Sequence, residues 1–398
     1  MKSSDSPRIV LSVDSCFASK RWPEAQDWAK IVSDCGVRYV EVSADSDLDP
    51  LYTDPSLYAE RMKNLRLLFD DCGLSASCFY SGHGTYSMSG FGSPDKAQRR
   101  FLAERWLLPF AKSASRMGAG VGWYFQSIPE NALNDPIKFG GAKTYIEDAV
   151  RKAAALVREA GCSFAAVEQM YSPSQIPWTI DGTLDFIRQT GAYTTLDTGH
   201  QTGQRHFLRP DRETLAAGLH GKSSPYVGTS NAANLYRLAK SGVTGGNSPD
   251  DLLRRVEEDM DVHPYLFARE EDGDLCRWLE ALGRWSPVIH LQQTDGRASL
   301  HRPFTQTTAR DGIVIPEKVL RALKRAFDAP ELPGMPPRVS EIHLTLELFF
   351  PLTQPSYSVI EELKASVRLW RQFIPEDGLS LDDLISRIPA ENRKETAR

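Results

Sequence analysis

Four residues stand where an ionisable side chain is hard to accommodate. Glu168 closes the apolar run AAVEQM, Asp197 closes TTLDTGH, His290 lies inside VIHLQQTD and Glu347 ends HLTLELFF. A carboxylate in such surroundings is costly unless it is paired or bound to a cation. Three carboxylates gathered in one place would repel each other, and a divalent ion is the simplest neutraliser. Carboxylate oxygens with one imidazole nitrogen make a mixed ligand set open to Mn²⁺, Mg²⁺, Co²⁺ or Zn²⁺, with Mn²⁺ the first to test. Taken singly, each acid is as readily a helix cap or the partner of an arginine. The metal reading therefore requires a fold that brings all four together.

Such a fold is legible in the alternation of short β-rich runs with longer segments of helical period, the pattern of parallel strands joined by crossover helices. Eight runs are RIVLSVD (8–14), RYVEVSAD (38–45), SASCFYSGH (75–83), GAGVGWYF (118–125), SFAAVEQM (163–170), AYTTLD (192–197), PVIHLQQTD (287–295) and EIHLTLELF (341–349). Between them, Ile146, Val150, Ala153 and Val157, and again Leu320, Leu323 and Phe327, step by three and four and place apolar side chains on one helical face. A closing helix is expected around Val359, Leu363, Val367 and Trp370. Gly36, Gly73, Gly118 and Gly161 each stand just before a strand, where a helix ends in a left-handed residue. The expected fold is α/β: a single (β/α)₈ TIM barrel over residues 1–375, with a long insertion at 198–285 between strands six and seven. Extra helices are expected near 250–259 and 274–282. The Gly-, Ser- and Asn-rich stretch 223–251 reads equally as a lid over the site and as a solvated or oligomer-contacting decoration, and 376–398 reads as a charged, peripheral tail.

In a barrel of this kind the catalytic groups gather at the C-terminal ends of the strands, which is where the four residues lie. The segments VEQMYSPSQIPWTIDGT (167–183), LDTGHQTGQ (196–204), VIHLQQTDG (288–296) and LTLELF (344–349) resemble the sugar isomerase and epimerase branch of the xylose-isomerase-like TIM barrels, with a further likeness to tetrulose-phosphate epimerases. The resemblance covers the order of the whole barrel. It implies that Glu168, Asp197, His290 and Glu347 hold the metal, that Glu168 and Glu347 form the acid/base pair, and that His200 contacts substrate. Glu41, on the second strand, also matches the family in position and is expected to support the ligands from behind. The familiar epimerases carry a Glu-Ser-Asn-Arg-like run after the seventh-strand histidine, whereas this chain has Leu291, Gln292, Gln293, Thr294 and Asp295. That departure bears on the substrate more than on the metal, and we take Gln293 within it as a substrate contact.

The chemistry so implied is removal of a proton alpha to a carbonyl, with a metal stabilising the enediolate charge as it develops. Return of the proton to the opposite face gives epimerisation. Return at the neighbouring carbon gives aldose–ketose isomerisation, and a leaving group beta to the carbanion gives elimination, as in a 3-oxo-glycoside lyase. The same ligands serve all three.

Other candidates follow from position. His83, in YSGHGT at the third strand's end, could bond a sugar hydroxyl or be a turn histidine. Lys20 after the first strand, and His301 and Arg302 after the seventh, could neutralise a phosphate or acid group or simply pair at the surface. Trp178 could stack on a sugar ring or pack in the core.

Bulk properties narrow the partners to small molecules. With 47 Lys plus Arg against 52 Asp plus Glu, the net charge of −5 disfavours a nucleic-acid backbone. No apolar stretch approaches a membrane span, and the N-terminal MKSSDSPRIVLSVD has no signal-peptide core, so a cytoplasmic protein is expected. The six cysteines are scattered without a CxxC pair and read as reduced. The expected partners are a carbohydrate substrate and further copies of the chain in a homo-oligomer.

Overall fold

The computed structural model describes residues 6–242 and 246–389. Eight strands close into a parallel barrel: β1 (Arg8–Asp14), β2 (Tyr39–Ser43), β3 (Ser75–Tyr80), β4 (Gly120–Trp123), β5 (Ala165–Glu168), β6 (Tyr193–Asp197), β7 (Val288–Leu291) and β8 (Glu341–Leu346). Each strand pairs in parallel with the next, and β8 and β2 both pair with β1. Every strand falls within an expected run. Several are shorter than expected at their C-terminal ends, because the chain there leaves the ladder to form the loops of the barrel mouth. The four glycines expected to end helices all take positive φ, from +67° at Gly73 to +88° at Gly161.

Strand parity decides which residues face the barrel interior. Ile9, Leu11 and Val13 of β1, Leu196 of β6, Ile289 and Leu291 of β7, and Ile342, Leu344 and Leu346 of β8 pack outward into the main core beneath the helices. The alternate positions carry Asp14, Glu41, Glu168, Asp197 and His290, and the residue after β8 in the same phase is Glu347. The helices supply the other half of that core. Pro136–Glu159 buries Ile146, Val150, Ala153 and Val157; Pro316–Asp328 buries Leu320, Leu323 and Phe327; Ser356–Arg371 buries Val359, Leu363, Val367 and Trp370.

The interior itself is filled by a small cluster that includes Tyr80 and Phe164. Both lean against the glycines of β4. A Cβ at Gly122 would lie 2.2 Å from the Tyr80 ring, and one at Gly120 would lie 2.4 Å from the Phe164 ring. The missing side chain at Gly122 thus gives Tyr80 its place in the floor of the barrel mouth, and that at Gly120 makes room for Phe164.

The insertion and the C-terminal segment both pack on the barrel. The insertion does form the expected helices, at Pro249–Val262 and Leu275–Leu282, with a further helix at Ser230–Ser241. Its described residues beyond His200 lie against the flank of the barrel, and none of them lines the cavity at the mouth. Tyr265 stacks on Phe139 with ring centroids 3.7 Å apart, Asp272 accepts the backbone N–H of Ile180 at 2.7 Å, and Arg269 pairs with Asp181 at 2.6 Å. Its buried residues, among them Leu235, Val256 and Phe267, join the main core. Apolar faces on the insertion helices, matched to the helices that follow β4 and β5, hold it there. The segment after residue 375 is also more than a peripheral tail. Leu379–Ser380 forms β9, antiparallel to β1 at Arg8 and Ile9, where β1 extends beyond its pairing with β2. The helix Leu381–Arg387 that follows buries Leu381 and Leu384 completely, and residues 390–398 lie outside the described residues.

Gly122→Ala is expected to force the Tyr80 ring out of its place at an overpacking cost of about 1–3 kcal/mol. A lowered midpoint of thermal unfolding would register it; an unchanged midpoint would show that the ring yields freely.

Candidate active site

The four residues first noted meet at the mouth of the barrel. Glu168, Asp197, His290 and Glu347 each offer one ligand atom, and these atoms all lie within 4.8 Å of one another. Register brings them there. Asp197 of β6 is paired with His290 of β7, and the backbone N–H of Glu347 continues the β7–β8 ladder by donating to the Leu291 carbonyl at 3.1 Å.

Three of the four candidate ligands are aimed by a partner on the far side. The Nε2–H of His290, fully buried, donates to Oε1 of the equally buried Glu41 at 2.9 Å. This leaves Nδ1 facing Glu168 at 3.4 Å and Glu347 at 3.2 Å. Asp197 Oδ1 accepts three bonds, from the backbone N–H groups of Gly199 at 2.6 Å and His200 at 3.0 Å and from Gln292 Nε2 at 2.8 Å. Glu168 Oε2 accepts from the Tyr80 hydroxyl at 3.0 Å.

What remains is a set of buried polar atoms without hydrogen-bond partners: Asp197 Oδ2, His290 Nδ1 and Glu347 Oε2. Such atoms are costly unless something fills the space between them. A neutral imidazole lone pair directed at two carboxylates is repulsive, so either a proton on Nδ1 or a cation must sit there. A carboxylate behind a ligating histidine is the arrangement that fixes the ring and raises its basicity toward a metal. The donor set and its unpartnered atoms fit a divalent ion. Without one, burial opposes the His290 imidazolium, but Glu347 and Glu41 outweigh it and hold its pKa well above the usual histidine range. Burial pushes Glu347 upward, yet His290 and His301 together hold it well below the usual carboxylate range.

Above this floor lies a cavity of about 220 Å³. Of the residues singled out as substrate contacts, His83, His200 and His301 line it, while Lys20, Trp178, Gln293 and Arg302 do not. His200 Nδ1–H donates to the Gln169 carbonyl at 2.8 Å, which fixes the ring against the floor. His83 Nδ1 bonds Asp45 Oδ2 at 2.9 Å at the exposed rim. His301 stacks on Phe349 with centroids 4.1 Å apart and brings Nδ1 to 3.3 Å from Glu347 Oε2.

The four that do not line the cavity are placed as follows. Trp178 is buried against Phe207 and borders a separate, larger cavity on the barrel flank. The side chain of Gln293 is used up on Val314, accepting its N–H and donating to its carbonyl at 3.0 Å each. Arg302 pairs with Asp311 at 3.1 Å, and Lys20 is exposed outside the cavity.

Sequence reasoning overlooked Asp14, Tyr80, Asp45 and Gln292. Asp14 could have been found, since it ends β1 in the inward phase; burial, with Glu41 and Glu347 nearby, raises its pKa well above the carboxylate range. Gln292 holds the loop together, taking the His301 N–H on Oε1 at 2.6 Å while Nε2 orients Asp197. Only a glycine at 199 admits it, since a Cβ there would lie 2.5 Å from the Gln292 side chain.

The fold is a (β/α)₈ TIM barrel with a candidate metal centre at its mouth. A protein from Rhodospirillum rubrum assigned as a xylose isomerase superposes with a TM-score of 0.64 at 19% identity, over 92% of this chain and 99% of that one. D-Psicose 3-epimerase from Clostridium cellulolyticum H10 gives 0.55 at 12% identity, over 91% and 98%. In sequence, the chain is 27% identical over 117 residues to D-erythrulose 1-phosphate 3-epimerase of Brucella abortus (strain 2308). That match spans 29% of this chain and only 34% of the relative's length. No family model matches the chain. Among the described residues no helix is long and apolar enough to cross a membrane, and all six cysteines are free.

Two outcomes follow for the centre. Glu41→Gln is expected to weaken Mn²⁺ affinity about 10- to 100-fold, read by calorimetry, as loss of a carboxylate behind a ligating histidine does. Because the metal-free His290 is held protonated and a ligating imidazole must be neutral, Mn²⁺ binding at neutral pH should release about one proton and tighten as pH rises. Calorimetry in buffers of different ionisation enthalpy measures it; binding without proton release would contradict the assignment of His290.

Proposed function

We propose that the chain is a divalent-metal-dependent epimerase or isomerase of a small ketose or its phosphate, working through an enediolate with Glu168 and Glu347 as acid and base. The observation that carries this reading is the convergence of unpartnered ligand atoms from Asp197, His290 and Glu347 beneath a cavity of about 220 Å³. Glu168, Asp197, His290 and Glu347 would hold the ion, with Mn²⁺ the first candidate and Mg²⁺, Co²⁺ and Zn²⁺ open alternatives. When bound, it would supply positive charge to stabilise the oxygens of an enediolate.

The protein's own groups carry the rest. Glu168 and Glu347 reach the cavity from β5 and from beyond β8, on strands separated by β6 and β7, so they can address a substrate carbon from different directions. One removes the proton alpha to the carbonyl and the other returns one, which inverts the centre when the faces differ. The Tyr80 hydroxyl orients Glu168, and His301 stands against Glu347. His200, fixed by the Gln169 carbonyl, is placed to position substrate from the floor.

Similarity supports the ketose epimerase reading: the named activities of the Brucella relative and the Clostridium structure are both 3-epimerisations. The cavity lies below the ~300 Å³ at which pockets for drug-sized ligands begin, which suits a small sugar better than a glycoside carrying an aglycone.

Glu168→Gln and Glu347→Gln, each loaded with Mn²⁺, are expected to lose proton exchange between D₂O and a ketose substrate by at least about 10²-fold, followed by NMR. Exchange persisting in both variants would refute the two-glutamate scheme. Aglycone release from an oxidised glycoside, with no exchange into ketoses, would favour the lyase chemistry instead.

A further inference from the structure

We infer that the substrate is an uncharged ketose and not a phosphate ester, a refinement that rests on the epimerase reading above. The cavity walls carry four acidic residues, Asp14, Asp45, Glu168 and Glu347, of which Asp14 is pushed by burial toward its uncharged form, and no lysine or arginine lines them among the described residues. A phosphorylated substrate needs its dianion matched by guanidinium, ammonium or free backbone N–H groups.

Of the cations near the cavity loops, Lys20 and Arg297 are exposed and do not line the cavity, and three arginines are committed elsewhere. Arg21 donates to the carbonyls of Gln354 at 2.8 Å and Pro351 at 2.9 Å, and so ties the loop after β1 to the loop after β8. Arg302 is paired with Asp311, and Arg205 donates to the Gly273 carbonyl at 2.9 Å. Two of the three cavity histidines are bonded to the protein, His200 to the Gln169 carbonyl and His83 to Asp45, and the third, His301, stands 3.3 Å from Glu347.

Asp45 is decisive at the rim. Its Oδ1 accepts the backbone N–H of His83 at 2.8 Å while Oδ2 takes the His83 ring. A carboxylate thus already occupies the backbone donor that an incoming phosphate would use, and its charge faces the cavity mouth.

The rest of the rim suits hydroxyl groups. The Tyr86 and Tyr171 hydroxyls lie 2.6 Å apart, and Gln175 Nε2 donates to Tyr86 at 3.0 Å. These neutral groups both give and accept hydrogen bonds, as sugar hydroxyls do, and the carboxylates accept from hydroxyls without needing a counter-charge. Phe349, stacked on His301, offers an apolar face on another wall. The inferred substrate class therefore differs from the phosphate ester named for the Brucella relative, whose likeness covers 29% of this chain.

The test uses the wild-type, Mn²⁺-loaded protein in D₂O. Free tetruloses, pentuloses and hexuloses are compared with their terminal phosphates, and deuterium incorporation at the carbon next to the carbonyl is followed by NMR. Inorganic phosphate is added as a competitor. The expected result is exchange into at least one free ketose with kcat/KM about tenfold or more above that of its phosphate, and no competition by inorganic phosphate, since like-charge contact is strongly unfavourable. Faster exchange into a phosphate ester, or competitive inhibition by inorganic phosphate, overturns the inference and leaves the epimerase reading intact. Exchange into neither class overturns the epimerase reading and the substrate assignment with it.

Discussion

The repulsion among buried carboxylates around His290 is the constraint on which the barrel mouth is built. Glu41 stands behind the ring, Glu168 and Glu347 stand before it, and Asp197 lies beside it on the next strand. Left ionised and unpaired in a buried site, these groups would oppose folding. The arrangement survives because one positive charge at Nδ1, a proton or a cation, is shared by several acids at once. The supporting contacts follow from this need. Tyr80 takes one oxygen of Glu168, and Gln292 with two backbone N–H groups takes one oxygen of Asp197. The other Asp197 oxygen is thereby left for the shared centre. The glycines at 122 and 199 are consequences in turn, since each clears the space through which one of those supporting side chains reaches its acid.

The barrel makes this convergence cheap to encode. In a parallel strand every second residue faces inward, so an acid in the right phase at a strand's C-terminal end reaches the mouth whatever the connecting helices look like. The outward phase, with Ile9, Leu11, Val13, Ile289 and Leu344, carries the apolar burial that holds the strands in place. Stability and chemistry thus occupy alternate residues of the same short segments, and either can change with little effect on the other.

That separation explains what was legible in the sequence. Eight strands, the flanking helices and the four floor residues are written in periodicity and in acids placed against apolar runs, both of which are local signals. Trp178, Gln293 and Arg302 lie off the cavity because their side chains are taken by partners the local pattern does not show: Phe207 for Trp178, Val314 for Gln293 and Asp311 for Arg302. The insertion's glycines and serines suggested a lid, yet its apolar residues find the barrel flank at Phe139 and Ile180. Charge content likewise hid the burial of Leu381 and Leu384 beyond residue 375. Asp14 was missed for a different reason. Its inward phase at the end of the RIVLSVD run was readable, but it was not weighed with the other acids of the site.

The run after His290, where the chain departs from the familiar epimerases, links floor to rim. Gln292 binds Asp197 with its amide nitrogen and the His301 backbone with its amide oxygen, so the ligand and the substrate wall are positioned by one side chain. His301 adopts a left-handed backbone at φ +46°, an unfavourable conformation for a residue other than glycine, and the stack on Phe349 and the contact with Glu347 oppose that cost. Any change in this loop that altered the rim would therefore also disturb how Asp197 is aimed. A rim so tied to the floor cannot shift freely, because one network holds both the cavity wall and the candidate metal ligands in place.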